Sequence, residues 1–141
     1  MVYKSDWSGG LAAQAGGPAL AILQWPVYND SMSQRPLQEP TFLILTALAA
    51  GAQHGYGIMT DVTNISGGRV KLRAGTLYAA LDRLADERLI EVDREEIVDT
   101  RLRRYYRLTP PGVQRLAAEV ERMRAHTAVA ARRLDLLGGL A

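Results

Sequence analysis

Eight positions near the C-terminus, Val113, Leu116, Val120, Met123, Thr127, Ala130, Leu134 and Leu137, follow one another at spacings that alternate between three and four. This is the a/d seam of a heptad pattern, sustained over more than three heptads. Thr109-Pro110 supplies a cap and a first helical residue, and Gly138-Gly139 a stop. A helix over 110–137 would be about 42 Å long, whereas a body of about 100 residues has a radius of gyration near 13 Å. The chain's own core cannot cover such a stripe, so the pattern predicts burial against a second copy. An amphipathic helix lying wholly on its own domain is the plain alternative, and the stripe is too narrow and too long to favour it. Thr127 and Ala130 make the middle of the seam small and polar. A space between subunits lined by Met123, His126, Thr127 and Ala130 would admit a flat hydrophobic ligand; close approach of the two backbones is the competing reading.

Upstream, residues 41–50 are apolar apart from two threonines, with Glu39 and Pro40 as start signals and Gly51 as the stop. A helix apolar on all sides must be covered on all sides. Residues 55–66 place Ile58, Val62 and Ile65 on one stripe, ended by Ser66-Gly67-Gly68, and residues 74–87 bury Leu77, Leu81 and Leu84. Three short helices joined by links of a few residues point to a helix-turn-helix unit. Residues 90–95 and Arg101–Leu108 then alternate as strands around a turn at 96–100, a hairpin of uncertain turn type. The expected fold is therefore mainly α, a winged helix-turn-helix in the order α-α-α-β-β-α. The expected division is a flexible or weakly ordered leader over 1–36, a DNA-binding domain over 37–108 and a dimerisation helix over 109–141. The leader holds seven glycines and prolines without a helical or strand period, and Met32 opens an alternative start.

The charges are unevenly placed. Arg69, Lys71 and Arg73 precede the third helix with no acid between Asn64 and Ala80, while Asp82, Asp86 and Glu87 fall in its C-terminal half. A helix that enters a major groove by its N-terminal end wants this polarity. With Leu77 at the centre of the buried face, Gly75, Thr76, Tyr78, Ala79 and Arg83 lie outward or on the flanks. Gly75 and Ala79 let the backbone approach base edges, and Thr76 and Arg73 can donate hydrogen bonds. An ordinary solvated face, with Arg83 paired to Asp86 or Glu87, is the bland alternative. On the hairpin, Arg101, Arg103, Arg104 and Arg107 resemble a phosphate clamp. A turn near Ile97-Val98 would set Asp93 opposite Arg103 and Glu95 opposite Arg101, which would consume part of that potential. Arg101 and Arg103 are still expected to reach phosphates, with the wing positioning the protein rather than reading sequence.

Composition closes other routes. There is no cysteine among the 141 residues, so disulfides, thiolate chemistry and Cys-based zinc sites are excluded. His54 and His126 are the only histidines; the first suits a cap and the second has no paired acid or nucleophile in view. No metal, cofactor or catalytic residue is expected, and the glycine pairs lack the lysine and preceding strand of a phosphate loop. No apolar run approaches a membrane span, so a cytoplasmic location is the expectation.

Residues 43–48, then His54-Gly55-Tyr56-Gly57, Gly75-Thr76-Leu77-Tyr78 and Arg104-Tyr105-Tyr106-Arg107-Leu108-Thr109, taken in order, resemble the PadR-type transcriptional regulators. The resemblance spans about 37–137. It implies a homodimeric winged helix of the short form with a single C-terminal helix, binding a palindromic operator in double-stranded DNA, usually as a repressor. It places the dimer on the first and last helices, here Phe42 and Leu45 with Val120, Met123, Thr127, Ala130, Leu134 and Leu137. It implies an aromatic or drug-like effector at the dimer centre, and assigns Tyr56 and Tyr106 mainly to core packing. Two departures stand out: residues 95–99 are acidic and lack the glycines common in the wing, and both tryptophans lie in the leader. A winged-helix protein-interaction module without DNA binding of its own is the alternative function.

Overall fold

The computed structural model describes residues 35–139; all but the last two residues of the leader expected over 1–36 lie outside them. Four helices and three strands follow in order: α1 (Glu39–Ala49), β1 (Gln53–His54), α2 (Gly55–Ile65), α3 (Ala74–Asp86), β2 (Ile90–Val98), β3 (Arg101–Leu108) and α4 (Pro110–Gly138). This is a winged helix-turn-helix with a C-terminal helix. No helix among the described residues is long and apolar enough to cross a membrane.

The core forms where α1 runs through the middle of the domain. Leu43, Ile44, Leu45, Ala47 and Leu48 are buried together with Ile58 and Val62 of α2, Leu77, Leu81 and Leu84 of α3, and Leu89, Ile90, Tyr106 and Leu108 around the hairpin base. Leu45 is therefore not available to a second copy. It is completely enclosed by its own protomer, because an all-apolar α1 is wrapped by α2, β3 and α4 at once. Phe42 is half-buried and remains on the open side. Ile65, placed by its spacing on the buried stripe of α2, is 42% exposed where that helix ends.

Sequence reasoning missed β1. Gln53 and His54 pair antiparallel with Tyr106 and Tyr105, making a three-stranded sheet in the order β1-β3-β2. The hairpin also differs from expectation in length and register. β2 extends to Val98, and the chain reverses through Asp99-Thr100, both in the left-handed region at φ 50° and 63°. Two such residues build the type I′ geometry that matches strand twist, here without the usual glycine. Arg101 consequently faces Val98, Arg103 faces Glu96 and Arg104 faces Glu95, in place of the expected Asp93–Arg103 and Glu95–Arg101 pairs.

A bulge between Val92 and Arg94 leaves Asp93 out of the ladder. Its effect is local and electrostatic. Glu91 and Asp93 both turn onto Arg107, with Glu91 Oε2 2.7 Å and Asp93 Oδ1 3.5 Å from the guanidinium, and all three side chains are nearly enclosed.

The start of α4 is stitched to the body. Thr109 Oγ1 accepts from the Gly112 N–H at 3.1 Å and donates to the Arg88 carbonyl at 2.6 Å, while the Thr109 N–H donates to the Leu89 carbonyl. Gly112 lies so close to Leu89 that any Cβ there would collide with that carbonyl oxygen. Glu119 is buried against Arg122 and accepts from the Leu37 N–H, which together hold its carboxyl below the usual range. Beyond Met123 every described position of α4 is exposed, with Leu134 at 65% and Leu137 at 64%.

Candidate nucleic-acid interface

The exposed end of α3 is built by what is missing from it. Its N-cap, Arg73, adopts an extended backbone and gives no side-chain cap, so the first N–H groups of the helix are not engaged by that side chain. Lys71, Arg73, Gly75, Thr76, Tyr78 and Ala79 are all exposed, and a Cβ at Gly75 would meet open space. Leu77, between them in sequence, is fully buried and fixes which way the others point. The acids Asp82, Asp86 and Glu87 lie further down the helix, away from its positive pole.

Two of the expected cations turn out to be committed elsewhere. Arg69 forms a two-bonded ion pair with Glu39 at the start of α1. Arg83 donates to Thr41 Oγ1 at 2.9 Å and lies 4.0 Å from Glu87, so it ties α3 back to α1. Lys71 and Arg73 show no ion pair or side-chain hydrogen bond among the described residues.

The second wall is the wing. A groove opens between it and α3, lined by His54, Tyr56 and Tyr78 on one side and Arg101, Leu102, Arg103 and Arg104 on the other. The four arginines of β3 divide into two kinds. Arg104 is bound to Glu95 at 2.9 Å, and Arg107 is buried at the hairpin base. Arg101 has no ion pair among the described residues, and Arg103, opposite Glu96, is held only through space. The acids of the partner strand do neutralise part of the clamp, but on different arginines from those the expected register gave.

Tyr56 and Tyr78 frame this groove. The Tyr78 hydroxyl packs where a Cβ at Gly55 would sit, so any larger residue at 55 would displace it. The His-Gly-Tyr-Gly and Gly-Thr-Leu-Tyr motifs therefore meet in space. Tyr56 is 72% exposed and not a core residue; Tyr106 is buried, as the resemblance implied. Spacing alone held the signal for Tyr56, which sits about 200° around α2 from the buried Ile58.

His54 caps α2. Its Nδ1 accepts from the Gly57 N–H at 3.2 Å, and its ring meets Tyr105 edge-on with centroids 5.2 Å apart. Partial burial lowers its pKa below the ordinary histidine value, the Arg103 charge lowers it further, and Glu96 opposes both. No group of three or more His, Cys, Asp or Glu among the described residues could hold a metal ion.

The model of the transcriptional regulator PadR-like family matches residues 44–118, just over half of the chain. The chain belongs to the PadR-like family. Among solved structures, a PadR family transcription regulator from Clostridium difficile superimposes with a TM-score of 0.58 at 25% identity, over 69% of this chain and 99% of that one. Bacillus subtilis PadR in complex with operator DNA gives 0.51 at 28% identity, over 57% and 46%. Of curated relatives, a Lysinibacillus sphaericus protein of uncharacterised function is 30% identical over 70 residues, half of this chain and 64% of that one. A Streptomyces fradiae transposon protein is 38% identical over 81 residues, and this PadR-like chain spans only 22% of it. The chain thus covers less than two thirds of either curated relative. The matched family is one of transcriptional regulators.

Proposed function

We propose that the chain is a homodimeric, sequence-specific repressor that places the N-terminal turn of α3 in the major groove. The observation that carries this reading is the separation of charge on α3. Lys71 and Arg73 stand unpartnered among the described residues at an uncapped helix start, and the acids are held at the far end. Gly75, Thr76, Tyr78 and Ala79 are assigned to the base edges and adjoining backbone, and Arg101 and Arg103 to phosphates. Arg83 drops to a supporting role, since it is engaged with Thr41. The superposition on a relative solved with operator DNA supports the assignment.

The seam of α4, half-buried at Val120 and Met123 and exposed at Thr127, Ala130, Leu134 and Leu137, together with Phe42, is assigned to the second copy. In such a dimer the two α3 helices meet a palindrome with half-sites one helical turn, about 34–36 Å, apart. An aromatic effector is assigned to the space beside Met123, His126, Thr127 and Ala130 where the seam is thinnest. Location in the cytoplasm follows from the function.

The test is selection of duplexes from a random pool by the purified chain, with mass measured by sedimentation. A dimer that enriches a palindrome is expected. Lys71→Ala and Arg73→Ala should each flatten the log–log salt slope by about 1, and Leu134→Glu with Leu137→Glu should yield monomers that bind weakly. Unchanged affinity in both basic variants by fluorescence anisotropy would show that another face meets DNA.

A further inference from the structure

We infer that the leader docks back onto α4: the Asp30 carboxylate closes on the guanidinium of Arg115, and Trp25-Pro26-Val27-Tyr28 lie along the turns of α4 around it. This stands apart from the DNA-binding reading, which uses other faces of the molecule.

Arg115 is the residue that asks for a partner. It is only 7% exposed, and its Nε and Nη1 are sealed from water without a hydrogen-bond partner among the described residues. A guanidinium stays charged in proteins, and an enclosed charge without a counter-ion is costly. Glu119, one turn along the helix, is already engaged. Its carboxylate accepts from Arg122 and from the Leu37 N–H, and it acts on Arg115 only through space. Two cations therefore share one anion, and the cluster lacks a second carboxylate.

The cover over α4 points the same way. The helix meets the body through α1, β3 and the Leu89 carbonyl. Yet no residue from 111 to 120 is exposed, although ten residues make nearly three turns and so present every side. A docked leader supplies the cover for the flank turned away from the body. Arg115 shares its side of the helix with Pro111 and Ala118, both half-buried and apolar, which suits the apolar run that precedes Asp30.

Reach selects the acid. The chain enters α1 beside Glu119, since Leu37 bonds its carboxylate, and Arg115 lies about 6 Å further back along α4. The acids of the leader are Asp6 and Asp30. Asp30 is seven residues from Leu37, a span of up to about 24 Å, which leaves slack for the chain to turn back. Asp6 would have to close a far longer loop at a higher entropic cost. A carboxylate on a guanidinium edge makes the strong, charge-assisted kind of hydrogen bond.

Both tryptophans of the chain lie in the leader, so indole fluorescence reports on it directly. In the full chain carrying Trp7→Phe, Trp25 should emit as an enclosed indole that acrylamide quenches less than free N-acetyltryptophanamide. Adding Asp30→Asn should lower the ratio of docked to free leader at least about 10-fold, the weight of a hydrogen bond to a charged group. Arg115→Gln should do the same, and the two together should add nothing to either alone, while Asp6→Asn changes nothing. Circular dichroism melting separates a released leader from an unfolded domain; should Arg115→Gln fail to fold, Asp30→Asn carries the test by itself. Trp25 quenched as fully as the free amide overturns the inference, as does protection that Asp30→Asn leaves intact. Protection that vanishes on dilution to the monomer in sedimentation runs overturns it too, and places the leader on a second copy.

Discussion

The base and the tip of the wing use the same residue types for opposite purposes. At the base, Arg107 is buried and held by Glu91 and Asp93, the latter standing at the bulge. At the tip, Arg101 and Arg103 have no such partners, and the apolar pair Ile97–Leu102 is left open. An arginine's contribution therefore depends on where the ladder places acids opposite it. Charge at the base is spent on holding the fold, and charge at the tip remains available to a polyanion.

The largest effect should come from breaking the base. Arg107→Ala removes the cation that Glu91 and Asp93 share, while Asp93 keeps its ion pair with Arg94, and should cost about 3 kcal/mol in urea unfolding. A loss below about 1 kcal/mol would mean that the base is as loosely organised as the tip. The tip should respond in the reverse sense. Arg101→Ala should leave unfolding within about 0.5 kcal/mol of the wild type while lowering the salt slope of duplex binding by about 1.

The smallest effect links the wing to α2 through pH. His54 must be neutral for Nδ1 to accept the Gly57 N–H, and its pKa in the fold lies below the ordinary value, first through burial and then through Arg103. A histidine with a depressed folded pKa contributes stability that is complete above the unfolded value, about 6.5, and is lost as pH falls through the folded one. Between pH 7 and 5 the wild type should thus lose about 1 kcal/mol, the size of an N-cap, while His54→Asn, which caps without titrating, stays flat. Arg103→Gln should move the wild-type titration upward; no movement would detach the wing from the cap.

Most of the scaffold was legible because burial periodicity is strong where a helix has one wet face. Leu77, Leu81 and Leu84 fixed α3, and through it the outward direction of Gly75, Thr76 and Ala79. Thr109-Pro110 fixed the start of α4. The hairpin register was not legible, since it depends on Asp99 and Thr100 adopting left-handed backbone that neither residue type announces. A displaced turn reassigns every cross-strand ion pair, which is why Arg101 and Arg103 emerged less neutralised than expected. β1 was too short to carry a period. Leu45 was misplaced because α1 is apolar all round, so that pattern cannot say which side meets its own domain. Arg83 is exposed on the flank as read, but a helical wheel does not reveal its bond to Thr41 on another helix.

The seam between Gly112 and the Leu89 carbonyl has a mechanical consequence. With Thr109 fastened to Arg88 and Leu89 and Gly112 flush against the Leu89 carbonyl, the joint has no room to slide. α4 then behaves as an oar in a rowlock: it is gripped as far as Glu119, and beyond Met123 a free blade of about 22 Å projects, so a tilt of about 5° swings its tip by roughly 2 Å. Whatever grips the far end of that oar pulls on the turns packed against the hull, and so governs how the helix-turn-helix is aimed.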